Sequence, residues 1–104
     1  MDLRRHSRVP FSEPVVFIAK GTETRLVGTS HDISLGGMFV ETTTPPPFGT
    51  EVVVHVHIPG EPQAYVLPGI VRWVKPEGMG VQFGLLGAKE THTITELVSA
   101  ASRG

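Results

Sequence analysis

From Glu51 to Ile58, Val52, Val54, Val56 and Ile58 interleave with Val53, His55 and His57, the period of a strand that turns one face to a core. Further β-rich runs cover Val15 to Lys20, Arg25 to Ser34, Met38 to Thr42, Tyr65 to Lys75 and Met79 to Phe83, each rich in residues that suit a pleated, half-buried surface. Between them lie Gly21-Thr22-Glu23-Thr24, Leu35-Gly36-Gly37, Pro59-Gly60-Glu61-Pro62 and Pro76-Glu77-Gly78, all of turn composition. Pro68-Gly69 interrupts the fifth run and predicts a bulge or an edge position there. The stretch Thr43 to Gly49 carries three consecutive prolines without N–H donors, which predicts an exposed extended connection. Lys89 to Ser102 lacks Gly and Pro and spaces Ile94, Leu97, Val98 and Ala101 as one face of a helix, predicting a C-terminal helix packed on the sheet. Six short strands and one helix imply an all-β fold with small α content, a small antiparallel barrel or sandwich.

The 104 residues hold one domain and no more. Cysteine is absent, which excludes disulfides and cysteine-ligated zinc and agrees with a reducing, cytoplasmic setting. No apolar run approaches the ~20 residues that cross a bilayer, so membrane insertion is not expected. After the charged start, Ser7, Arg8, Pro10, Ser12 and Glu13 stand where a cleaved signal would need apolar residues, and export is not expected. Net charge is only -1, but Arg4, Arg5 and Arg8 against Asp2 leave the first eight residues at +2 and the remainder at -3. A protein that tracks a nucleic-acid backbone spreads its basic residues along a whole face; three arginines at one end suit a small anion better.

Two segments carry candidate chemistry. In Arg4-Arg5-His6-Ser7-Arg8 the outer arginines share a side, about 6 Å apart on a helix and up to ~13 Å apart in an extended arm, and Pro10 favours the arm near its end. A guanidinium clamps phosphate oxygens, bonds a guanine edge or stacks on a base; a solvated chain end is the ordinary alternative. In Asp32-Ile33-Ser34-Leu35-Gly36-Gly37, strand alternation sends Asp32 and Ser34 to one face and Ile33 and Leu35 to the other. A carboxylate accepts both N–H groups of a guanine edge, a hydroxyl bonds phosphate or base, and glycines admit a ligand to the backbone. The same residue types also make ordinary turns.

Taken together, the two segments resemble the PilZ family, bacterial receptor domains for cyclic di-GMP, whose signature is an RxxxR arm followed by [D/N]xSxxG. Arg4-Arg5-His6-Ser7-Arg8 matches the first half and Asp32-Ile33-Ser34-Leu35-Gly36-Gly37 the second. Gly69-Ile70-Val71-Arg72-Trp73-Val74 and Gly78-Met79-Gly80-Val81-Gln82-Phe83 continue the likeness downstream. The resemblance implies a six-stranded antiparallel PilZ-type β-barrel with a C-terminal α-helix, divided into a flexible ligand-binding arm over 1–11, a barrel over 12–86, and a helix and tail over 87–104. It implies ligand contacts from Arg4, Arg5, Arg8, Asp32, Ser34, Gly36 and Gly37, with Arg4 and Arg8 on phosphate and guanine, Asp32 on guanine N–H groups, Ser34 adding a polar contact and Gly37 giving room. It further implies an adaptor without catalysis, metal or cofactor, whose ordered arm signals to an unidentified effector protein, as a monomer or a ligand-dependent dimer. The alternatives are a module of the same fold that binds proteins and no nucleotide, and a small barrel that binds single-stranded nucleic acid; the acidic body and scarce aromatics disfavour the second.

Other constellations are weaker. His55 and His57 share a strand face without an evident third metal ligand. Ser30-His31-Asp32 holds the residue types of a catalytic triad, but alternation points His31 away from both neighbours. Trp73 and Phe39 are expected in the core rather than stacked on a base. Gly78-Met79-Gly80 lacks the lysine and following helix of a phosphate loop.

Overall fold

The structure, a computed structural model, describes residues 8–103. Its strands are β1 (Val9–Pro10), β2 (Pro14–Ala19), β3 (Leu26–Ile33), β4 (Gly37–Glu41), β5 (Glu51–Val56), β6 (Tyr65–Lys75) and β7 (Gly78–Phe83), followed by the helix α1 (Ala88–Arg103). All pairings are antiparallel, and they close a ring in the order β2, β3, β4, β7, β6, β5 and back to β2. Closure leaves no sheet edge in the ring to pair with another chain. This is the six-stranded antiparallel barrel with a C-terminal helix that the sequence implies, with β1 as an added strand.

The interior follows from the alternation. Phe17, Met38, Val40, Val54, Val56, Leu67, Val71 and Met79 are fully buried along the strands, each contributing about 1.5–3 kcal/mol of transfer free energy. Ile94 of α1 completes the core at the barrel end, with Leu97 and Val98 half-buried beside it. Tyr65, at the start of β6, bonds Thr93 Oγ1 through its hydroxyl at 2.6 Å and tethers the helix. Ala101, the last apolar position of the expected stripe, is exposed, so the helix leaves the barrel before its end.

Three local features depart from the sequence reading. β6 runs through Pro68↔Val53 and Gly69↔Val52 without a shift, and its bulge falls at Arg72 instead. Pro68 is accommodated because its carbonyl accepts from Gly84 N at 2.9 Å and it needs to give nothing to the ladder. The triple proline is not wholly exposed, since Pro46 is buried and Pro47 O accepts from Thr50 N in a turn that holds Gly49 at φ +87°. Lastly, β1 pairs with the end of β3 through Val9↔Ile33 and Pro10↔Asp32, because Val9 and Phe11 are apolar and enter the core.

β1 and β2 lie end to end along the same side of β3, and the gap between them is joined by one buried hydroxyl. Ser30 Oγ donates to Phe11 O at 2.7 Å and accepts from Glu13 N at 3.0 Å. Losing a buried hydroxyl that serves two backbone groups costs about 1–3 kcal/mol. Ser30→Ala is therefore expected to lower the unfolding free energy by that amount in a urea titration, and an unchanged midpoint would show that the backbone bonds alone hold the junction.

Candidate functional site

Two bulges decide what faces outward beside β4. In β3 the register passes from Ser30↔Val40 to Asp32↔Phe39, leaving His31 as the extra residue. Ser30 and Ile33, three positions apart, are both buried, which unbroken alternation forbids. The extra residue turns Asp32 outward and sets His31 on the same surface, where its ring lies 5.7 Å from that of Phe39 and its Nε2 3.4 Å from Glu41 Oε1. The expectation that His31 points away from both neighbours therefore holds for Ser30 alone. In β6 the register passes from Val71↔Val81 to Trp73↔Gly80 around Arg72. Leu67, Gly69 and Val71 face in, so an unbulged strand would bury Trp73; the bulge brings it to the surface, 41% exposed.

The result is one transverse row, Asp32↔Phe39↔Gly80↔Trp73, across β3, β4, β7 and β6. Both aromatic residues expected in the core are here instead, Phe39 half-buried and Trp73 exposed. Gly80 makes the row possible, since a Cβ there would collide with the indole of Trp73; the ring lies across the glycine backbone. Lys75 Nζ sits 5.9 Å above the Phe39 ring. Arg8, Asp32, Phe39, Trp73, Lys75 and Glu77 line a cleft of about 280 Å³.

Arg8 closes this row from above. Its Nη1 donates to Asp32 Oδ1 at 2.6 Å, and its guanidinium carbon lies 5.9 Å from the Trp73 ring centroid, within cation–π range. Phe39 N donates to the same Oδ1 at 3.1 Å, so Asp32 is oriented by backbone and arginine together. The two side chains are 25% and 31% exposed, and at that exposure a pair contributes on the order of 1 kcal/mol or less. A cation, a carboxylate and an aromatic plate are thus gathered on an open face, in a contact that costs little to break.

The other motif residues have different surroundings. β3 ends at Ile33, and Ser34 is 2% exposed. Its hydroxyl accepts from Gly36 N at 3.0 Å and Gly37 N at 3.2 Å, so it holds the turn into β4 rather than standing beside Asp32. At Gly37 the close approach comes from the Val81 carbonyl, which a Cβ would strike. Gly36 O accepts from Phe83 N at 2.9 Å and ties that turn to β7. Arg4 and Arg5 lie outside the described residues. His55 and His57 form no metal cluster; among the described residues no group of three or more ligating side chains occurs. No described helix is long and apolar enough to cross a membrane. Trp73, Phe39, Lys75 and Gly80 are the site residues that the sequence reading missed. A signal for Trp73 existed: counting back from the turn at Pro76-Glu77 pairs Lys75 with Gly78 and Trp73 with Gly80, an aromatic opposite a glycine.

Fold and site define a small closed barrel that presents an arginine, a carboxylate and an indole together on its outer surface. The chain belongs to the PilZ family, whose domain model matches residues 2–100. Solved structures agree in fold. The PilZ domain of CeSA from a cellulose-synthesising bacterium superposes with a TM-score of 0.74 at 19% identity, covering 92% of this chain and 98% of that one. The PilZ domain of YcgR from Escherichia coli, solved with c-di-GMP, gives 0.76 at 14% identity, covering 98% and 93%. The Bacillus subtilis inhibitor of motility MotI/DgrA gives 0.76 at 18% identity and covers 99% of this chain, which spans 52% of that one. No curated protein sequence matches the chain.

Gly80→Ala is expected to push the indole off its seat. Trp73 is the only tryptophan, so its fluorescence reports the move directly: the emission shifts to the red and stability falls by about 1 kcal/mol as indole contact area returns to water. An unshifted spectrum would mean that the ring does not rest on the glycine.

Proposed function

We propose that this domain is a receptor for cyclic di-GMP that passes the signal to a partner protein and performs no catalysis. The observation that carries the reading is Arg8 bridging Asp32 and Trp73 on the outer face, immediately beside the turn built by Ser34, Gly36 and Gly37. The ligand has two phosphates, a net charge of about -2, and two guanines, and each has a counterpart here. Arg8 takes phosphate oxygens or a guanine edge through its planar fork. Asp32, already accepting from Phe39 N through Oδ1, offers its second oxygen to guanine N–H groups. Trp73 supplies an open aromatic face for a base, and such stacking contributes about 1–3 kcal/mol per base. Lys75, across the cleft, adds a second cation.

Ser34, Gly36 and Gly37 act through shape in this proposal. They hold the turn that ends β3 behind Asp32, and the hydroxyl works as a fixed acceptor of two backbone N–H groups. Arg4 and Arg5 complete the arm and contact the ligand with Arg8. Because that arm leads into β1, which pairs with β3 at Asp32, ligand contact ties the N-terminal segment to the barrel. The liganded segment and barrel face together form the surface that a partner reads. The reading places the domain in the cytoplasm of a bacterium and calls for no metal or cofactor.

Isothermal titration of cyclic di-GMP into the domain tests this, with GTP and cyclic di-AMP as controls. Saturable binding is expected that Arg8→Ala and Asp32→Ala each weaken at least tenfold, about 1.4 kcal/mol, and that quenches Trp73 fluorescence. The same curve yields one or two ligands per domain. No heat with the wild-type chain would overturn the receptor reading in favour of a fold-mate that binds protein only.

A further inference from the structure

The cleft beside Arg8 holds more than the contact of Arg8 with Asp32 and Trp73 uses. Its lining comprises two cations, two carboxylates and two aromatic rings, and they fall into two like sets. Arg8, Asp32 and Trp73 form the first. Lys75, Glu77 and Phe39 form the second, in which Lys75 Nζ lies 5.9 Å from the Phe39 ring centroid, the same separation as the Arg8 guanidinium from the Trp73 ring. On β6, alternation puts Trp73 and Lys75 on one side of the strand, about 7 Å apart. Their neighbours on β7 are Gly80 and Gly78, and Gly80 also faces Phe39, so no β7 side chain separates the groups of β4 from those of β6. Glu77 stands in the turn that joins β6 to β7 and closes that end of the cleft. Its carbonyl accepts from Thr42 N at 3.1 Å, which holds the turn, while its side chain is exposed.

We propose that Lys75, Glu77 and Phe39 are the second half of the binding site, and that Glu77 makes that half selective for guanine. The inference rests on the cyclic di-GMP reading above and assigns the half of the ligand that Arg8, Asp32 and Trp73 leave unread. Charge carries the argument. A cleft that gripped only the phosphates of a dianion would gain from cations and be weakened by each carboxylate, yet here Asp32 and Glu77 balance Arg8 and Lys75. A carboxylate fits beside a dianion where it accepts from N–H groups. Guanine presents two adjacent N–H donors on its pairing edge, a match for the two oxygens of a carboxylate, whereas adenine presents one donor and one acceptor there. The ligand carries guanine and phosphate twice, and the cleft carries carboxylate, cation and ring twice. Asp32 then reads one guanine and Glu77 the other, Lys75 takes a phosphate, and the half-buried Phe39 gives apolar contact between them.

Calorimetric titration of the full chain with cyclic di-GMP and with the mixed cyclic GMP–AMP dinucleotide of the same ring linkage reads this selectivity. The wild type is expected to prefer cyclic di-GMP by about tenfold or more, because the mixed ligand sets an adenine acceptor against a carboxylate. Glu77→Gln, whose amide both accepts and donates, narrows the preference to about threefold or less by raising affinity for the mixed ligand. Lys75→Gln weakens both ligands alike, by about fivefold, and flattens the dependence on salt. Glu96→Gln, the same charge change on α1 at the Tyr65 end of β6, alters neither affinity. Lys75 and Glu77 are exposed, so thermal unfolding of their variants stays close to wild type. A wild-type chain that takes up no cyclic di-GMP overturns the receptor reading and this inference with it. Cyclic di-GMP binding with no preference over the mixed ligand, with a preference that Glu77→Gln leaves intact, or with affinities that Lys75→Gln does not change, overturns the second half-site alone and leaves the receptor reading standing.

Discussion

Ring closure binds every strand of this barrel to one rule: alternate residues enter the core and the rest face out. A closed sheet has no free edge where an odd side chain can be accommodated, so any residue that must leave its assigned face has to be moved by inserting another. That happens twice, at His31 in β3 and at Arg72 in β6. Without the first insertion Asp32 would turn inward and Ile33 outward; without the second the largest side chain of the protein would be pressed into a barrel already filled by Phe17, Met38, Leu67 and Met79. The two bulges flank β4 and β7, and their combined effect is a single row in which carboxylate, phenyl ring, glycine and indole follow one another across four strands.

The row explains why Arg8 is placed where it is. β1 is only two residues long, too short to persist by its ladder alone, and it stays because Val9 and Phe11 are buried and Ser30 ties the break before β2. Burial of apolar groups next to the arm thus positions a charged one. The guanidinium then meets a carboxylate that a backbone amide also holds and a ring seated on a glycine.

The outside of the barrel is divided accordingly. One part, around β4 and β7, is polar and aromatic and built by irregular backbone. The other, around β2 and β5, is regular in register and carries apolar rows interrupted by His55 and flanked by Glu51, His57 and Lys20. α1 caps the end of the barrel through Ile94 and covers neither.

The six barrel strands, the turns between them and the helix were legible in the sequence, because period and punctuation are local properties: the fifth expected strand, Tyr65 to Lys75, coincides with β6, whereas the two-residue β1 was not. Arg8 and Asp32 were legible too, as charged residues in a spaced pattern, and Phe39 stood in plain alternation with Met38 and Val40. Ser34 read equally as a ligand contact or a turn brace, and the structure shows its hydroxyl bracing the turn through the Gly36 and Gly37 amides. Trp73 was assigned to the core because period two, continued from Val71, puts it there. The order of residues by itself determined which segments are strands and which residue types gather near the chain's start and its first glycine pair. Tertiary structure decided which way Asp32 and Trp73 face, because a bulge is set by the pairing of one strand with its neighbour and leaves no mark in the period of either; only the count back from the Pro76-Glu77 turn pointed to the place of Trp73.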